Sequence, residues 1–171
     1  MRANIACMAA FLSALACSMP AMAEEPTQSD AAAIRSLEDG FAAAFRARDV
    51  PKILSYFASG NNLLVFDVMT PRQFAGSDAY RGDWEGFTRM TDKPFNVEIQ
   101  DFRIVSSDGN LAFSNFVHHV TGTLKDGTKL DMSTRVTHDY EKVDGKWLIV
   151  QEHVSVPIDW ASGKPDWHSK L

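Results

Sequence analysis

The segment Thr134–Pro157, TRVTHDYEKVDGKWLIVQEHVSVP, sets Arg135, His138, Glu152 and His153 among Val, Ile, Tyr and Trp. Charged side chains at half-buried sheet positions need ionic or hydrogen-bonding partners, so these four mark where a site would form. Asp144-Gly145 between the two apolar runs suits a type I′ hairpin turn, whose central residues both take positive φ. Two-residue loops there and at Asp126-Gly127 fix a register: His118 opposite Arg135, Arg135 opposite Val154, and Thr137 opposite Glu152. Side chains alternate across a sheet, so one face carries Phe116, His118, Arg135, Thr137, Leu148, Val150, Glu152 and Val154. An Arg, a Glu and a His on an apolar surface suit a small-molecule pocket or a structural ion pair at the sheet rim. The other face gathers His119, His138 and His153 beside Val117, Val136, Trp147, Ile149 and Gln151. Three imidazoles can bind a transition metal. These come from separate strands with neither Cys nor carboxylate between them, so no metal or other cofactor is expected. That face is read as the contact surface of a homodimer. A loop one residue longer at either turn exchanges the two faces.

The elements that must position these groups follow from periodicity. Ile34, Leu37, Phe41, Ala44 and Phe45 repeat at the spacing of one buried helical face, with Ser29 or Asp30 as N-cap. A short second helix is expected near Pro51, ending before Gly60. Leu63–Val68 reads as a compact strand with one charge, Asp67. Asp78 is expected to cap a third helix that sets Tyr80, Trp84 and Phe87 on one side. From Phe95 onward the chain reads as sheet, with turns at Asp108-Gly109, Asp126-Gly127 and Asp144-Gly145. Between Phe95 and Ser106 the apolar beat changes parity, which calls for a β-bulge near Asp101. Helices followed by a bent antiparallel meander make an α+β domain.

Before that domain, Arg2, the apolar run Ile5–Ala16 and the sequence Ala21-Met22-Ala23 form a secretory signal pattern with cleavage after Ala23. The run is shorter than the roughly 20 residues needed to span a bilayer. Residues 24–29 then form a short polar leader, 30–159 the domain and 160–171 a tail containing Trp160 and Trp167. Both cysteines, Cys7 and Cys17, precede the cleavage point, so the mature chain has no thiol for a disulfide or catalysis. A periplasmic or secreted location follows. The formal charge is −5, with no basic stripe, which argues against nucleic-acid and anionic-membrane partners.

The segment Leu63–Trp84, LLVFDVMTPRQFAGSDAYRGDW, and the Thr134–Pro157 segment resemble SnoaL-like proteins of the nuclear transport factor 2 and ketosteroid isomerase superfamily, over about residues 30–159. The resemblance implies a cone: N-terminal helices packed on a strongly curved antiparallel sheet around a pocket, commonly dimeric through the sheet. It makes Asp67 similar in position to the isomerase's general-base aspartate. The isomerase's first-helix tyrosine is replaced by Phe41 or Phe45, and its second, protonated aspartate has no counterpart, leaving Glu152 or His118 to serve. The expected site is therefore Asp67 and His118 as catalytic groups, with Tyr80, Trp84, Arg135, Glu152 and Val154 binding a small apolar or carbonyl-containing molecule. Isomerisation, cyclisation or dehydration is the expected chemistry. The alternative is a non-catalytic metabolite-binding or dimeric interaction module anchored by Arg135.

Overall fold

A computed structural model of the protein describes residues 28–106 and 109–169. The signal segment, both cysteines and Asp108 of the first turn lie outside the described residues. The first helix, α1, runs Gln28–Ala47 and buries Ile34, Leu37, Phe41 and Phe45 along one face, with Glu38 in the same stripe. It begins earlier than the expected cap, taking in Gln28 and Ser29. Asp30 is spent elsewhere: its carboxylate accepts from Lys142 Nζ at 2.6 Å and Trp147 Nε1 at 3.1 Å, tying the helix start to the last hairpin.

The second helix, α2, spans Val50–Leu54; Asp49 caps it by accepting from the Lys52 amide, and Pro51 occupies the first turn, where a missing N–H costs nothing. A one-turn 3-10 helix, Gly60–Asn62, leads into strands β1 (Leu64–Phe66) and β2 (Phe74–Ala75). Helix α3 covers Ser77–Thr88. Its N-cap is Gly76, not Asp78. Gly76 has φ +93°, and a Cβ there would meet the Gly60 carbonyl oxygen at 3.3 Å, so glycine serves both conformation and space.

Strands β3 (Asn96–Ser106), β4 (Leu111–Thr123), β5 (Lys129–Val143) and β6 (Lys146–Ser155) form the long meander. The sheet order is β2-β1-β6-β5-β4-β3, and β1 runs parallel to β6, so the sheet is mixed rather than wholly antiparallel. The bulge in β3 falls between Gln100 and Arg103, with Asp101 at φ +53°. The tail is partly ordered: β7 (Ile158–Asp159) pairs with β8 (Lys164–Pro165). No helix among the described residues is long and apolar enough to cross a membrane.

The two Asp-Gly turns differ, and that difference decides the site. At Asp144-Gly145 both residues have positive φ, +49° and +76°, and Val143 pairs directly with Lys146 in the two-residue geometry. At Asp126-Gly127 only Gly127 is left-handed, at +88°. The last ladder pair is Thr123 with Lys129, and Leu124 N donates to Thr128 O, leaving a three-residue loop of Lys125, Asp126 and Gly127. The Asp126 carboxylate fixes this form by accepting from the Thr128 amide at 2.9 Å. One extra loop residue moves every β5 side chain to the opposite face. His118 therefore lies opposite Thr134, Arg135 points outward and is exposed, and Thr134, Val136, His138 and Tyr140 turn inward.

A second irregularity acts on β6. Tyr140 pairs with Ile149 but Asp139 pairs with Gln151, leaving Val150 as an extra residue. Trp147 and Ile149 face inward before the bulge, and Glu152 after it. Leu148 and Val150, expected on the cavity face, are displaced from it.

Candidate functional site

The inward face of the sheet and the buried stripe of α1 bring four ionisable groups together. His138, on β5, is fully buried and bonds at both ring nitrogens: Nδ1 to Glu38 Oε1 at 2.8 Å and Nε2 to Glu152 Oε2 at 2.6 Å. The Tyr140 hydroxyl donates to the same Glu38 oxygen at 2.6 Å, and the Tyr80 hydroxyl donates to Glu152 Oε1. Ser114 Oγ lies 2.6 Å from the Tyr140 oxygen; since that phenol gives its proton to Glu38, the serine donates to it.

Both nitrogens of a doubly bonded imidazolium are donors, and both neighbours here are acceptors. Burial works against charge on His138, but Glu38 and Glu152 outweigh it and push its pKa up to about 10. Glu38 is driven up by burial and more strongly down by His138 and the Tyr140 hydrogen bond, so it stays ionised. Both tyrosines are raised, first by burial and then by the adjacent carboxylates, and remain neutral donors. The assembly is a closed chain of charge-assisted hydrogen bonds, the strong kind inside a protein.

Beside it opens a cavity of about 390 Å³. Its walls are mostly apolar, with Phe41 and Phe45 from α1, Trp84 and Phe87 from α3, and Val120, Leu130, Met132 and Val154 from the sheet. The Phe45 and Trp84 rings meet edge to face at 4.8 Å. Glu152 belongs to both the hydrogen-bonded chain and the cavity, and Asp67, Asp83, Lys129, Asp131 and Trp167 contribute to the lining. Trp167 is held there by its carbonyl, which accepts from the Ser133 amide at 2.8 Å, whereas Trp160 is 96% exposed and plugs nothing.

Asp67 follows β1 and accepts from the Met69 amide at 3.0 Å. Its carboxyl is pushed up to about 7 by burial, then by the negative charges of Glu152 and Asp83, against the hydrogen bonds from Met69 and Val68. Asp83 is shifted upward by burial and Glu152. His118 is the opposite of His138. It lies against Phe41, with centroids 5.8 Å apart, and its Nε2 is buried with no partner. Burial pulls its pKa down to about 4, so at neutral pH it is an uncharged imidazole lining the cavity. Among the described residues no group of three or more His, Cys, Asp or Glu is placed to hold a metal ion.

Of the residues picked out from sequence, Asp67, His118, Tyr80, Trp84, Glu152 and Val154 line this one cavity. Arg135 does not. The three-residue loop turns it to the outer face, so it cannot anchor a ligand here. His138 is likewise corrected, from the outer face to the buried interior, leaving His119 and His153 outside. His119 Nε2 pairs there with Asp131 at 2.9 Å. Tyr80 is committed to Glu152 rather than free for substrate. Glu38, Ser114, Tyr140 and Asp83 were missed. Glu38 had left a signal: it sits four residues after Ile34 and three before Phe41, a charge inside the apolar stripe.

Comparison with known proteins agrees with this architecture. A model of the SnoaL-like domain matches residues 34–159. A nuclear transport factor 2-like protein of unknown function from Pseudomonas putida superposes with a TM-score of 0.75 at 26% identity, covering 86% of this chain and all of its own. A candidate scytalone dehydratase from Novosphingobium aromaticivorans superposes at 0.67 and 14% identity, covering 76% of this chain and 85% of that one. A ketosteroid isomerase-like protein from Erwinia carotovora atroseptica gives 0.64 at 17%, covering 75% and 96%. At these two identities the likeness is one of fold. No curated protein matches the chain.

Proposed function

The chain belongs to the SnoaL-like domain family, and from that premise we propose that its cavity binds a small, largely apolar carbonyl compound on which Asp67 moves a proton. The observation that carries this reading is Asp67 itself, a carboxyl on a mostly apolar cavity whose proton affinity lies near 7. A group poised there takes a proton from carbon beside a carbonyl and returns it, either to another carbon in isomerisation or to a departing hydroxyl in dehydration. His118, neutral and with a free Nε2, would hydrogen-bond the carbonyl oxygen as charge develops on it. Phe41, Phe45, Trp84 and Val154 supply the apolar walls. The Tyr80–Glu152–His138–Glu38 chain fixes Glu152 beside the cavity, where its charge helps hold Asp67's proton affinity up.

The working form in this proposal is a homodimer outside the cytoplasm, released after Ala23; its supports are the leader pattern and the outer sheet face. Proton transfer is tested by incubating a panel of small cyclic ketones and β-hydroxyketones with the protein in D2O and following α-carbon exchange by NMR. Exchange that the wild type accelerates and Asp67→Asn loses by about a hundredfold or more supports the reading. Equal rates for the two proteins would sink it.

A further inference from the structure

The register that removes Arg135 from the cavity also inverts its charge. Asp67, Asp83 and Glu152 line it, and Arg135, the cation expected on the cavity face with Glu152, lies on the far side of the sheet. Glu152 is satisfied by His138 and Tyr80. Neither Asp67 nor Asp83 has an ion-pair partner among the described residues. Lys129 is exposed, and Asp131 next to it carries the opposite charge. A second, independent feature points to a ligand in the same place. The His118 Nε2 and Trp84 Nε1 atoms are buried without partners, and both residues line the cavity. Orphaned polar atoms of this kind are rare in a closed core, and the indole N–H, a donor only, calls for an acceptor such as a ligand's carbonyl oxygen.

We propose that the molecule taken by this cavity is an organic cation: an ammonium group on an apolar, aromatic-sized body, excluding carboxylates and phosphates. Asp67 and Asp83 pair with the ammonium, and the aromatic and aliphatic lining, Phe45, Trp84 and Phe87 among it, takes the apolar body. The inference rests on the reading of this cavity as the substrate site and names the substrate class. It also removes a difficulty in that reading. An oxyanion developing among three carboxylates is disfavoured by their field, and the lining's cation, Lys129, is exposed and bonded to Thr123 Oγ1. A positive charge carried by the substrate supplies the missing compensation, so an aminocarbonyl compound fits better than a neutral ketone.

The cation and Asp67 are linked through protons. The titratable and charged groups that line the cavity with Asp67 are Asp83 and Tyr80 from α3, Glu152 from β6, His118 from β4, and Lys129 and Asp131 from β5. Of these, Glu152 and Asp83 raise its proton affinity, and an ammonium beside it lowers it again. Cation binding near neutrality therefore releases a proton, and affinity falls as pH drops below about 7.

The test is isothermal titration calorimetry of three isosteric probes, 2-phenylethylammonium, 2-phenylethanol and phenylacetate, at pH 8. The expected order is ammonium tighter than the alcohol by about tenfold or more, with phenylacetate weakest. At pH 5.5 the ammonium weakens and the alcohol does not, and in Asp67→Asn that pH dependence disappears. Asp83→Asn, which keeps the size of the side chain, should cost the ammonium about tenfold more than it costs the alcohol. Phenylacetate or the alcohol binding as tightly as the ammonium overturns the proposal, as does no binding by any probe to protein that unfolds cooperatively. The two ideas fail separately. Cation preference without α-carbon exchange removes only the proton transfer; exchange without cation preference removes only the charge assignment.

Discussion

His118 and His138 stand on neighbouring strands, on the same face of one sheet, and Phe116 packs against both rings at 4.9 and 5.1 Å. Both are buried. One is held neutral down to about pH 4 and the other charged up to about pH 10. The difference comes from partners rather than depth. Burial penalises charge on each ring equally in kind, but His138 touches two carboxylates and His118 touches aromatic edges. The region around His138 is closed, with hydrogen-bond donors matched to acceptors along the chain except at Glu38 Oε2. The region around His118 and Asp67 is left open, with an orphaned nitrogen and carboxyls lacking ion-pair partners among the described residues. The first holds the fold; the second is available for chemistry.

The comparison predicts unequal costs of deletion. His138→Leu leaves Glu38 and Glu152 buried without their shared cation and should destabilise the protein by about 3–5 kcal/mol, read from urea unfolding. His118→Leu removes a nitrogen that has no partner to lose, and should change stability by less than about 1 kcal/mol. Similar losses for the two variants would break the contrast.

Asp67 and His138 should also respond oppositely to substitution, although both contributions fall as pH rises, each in its own window. The carboxyl of Asp67 has a folded pKa raised to about 7 from 3.8. Its contribution to stability is thus present below about pH 4 and lost as pH rises through 7. Asp67→Asn, which keeps an acceptor for the Met69 amide, should stabilise the protein by about 1–2 kcal/mol at pH 8 and not at pH 4. For His138, raised to about 10 from 6.5, the stabilisation is complete below pH 6.5 and fades as pH climbs towards 10. Imidazole NMR titration sharpens this directly: two resonances, one charging only near pH 4 and the other discharging only near pH 10. Convergence of the two titrations near 6.5 would show that neither ring keeps the environment described.

Arg135→Ala is the smallest expected effect. On the exposed outer face it should alter stability by no more than about 0.5 kcal/mol and leave ligand binding in the cavity unchanged. A large loss of binding would return Arg135 to the site.

Much of this was legible in the chain. The stripe of α1, the parity change at Asp101 and the two-residue turn at Asp144-Gly145 each leave a local signal, because each depends on residues within a few positions of one another. Asp67 could be singled out through family resemblance. The α1 stripe held Glu38 openly, but its partner lies 100 residues later in sequence, and no local pattern joins them. Glu152 and Val154 were placed on the cavity face through two register shifts that cancel, one in the Asp126-Gly127 loop and one at Val150.

Sequence by itself determined the elements, the mixed apolar and charged character of the closing hairpin, and the family to which the helices and strands belong. Periodicity, turn chemistry and propensity act locally, and local terms suffice for these. Only the tertiary structure decided which charges share a face. A single residue in a loop and a single bulge in a strand invert side-chain direction over their whole length. Those two choices turned Arg135 out, brought His138 between Glu38 and Glu152, and left Asp67 and Asp83 on the cavity without an ion-pair partner among the described residues.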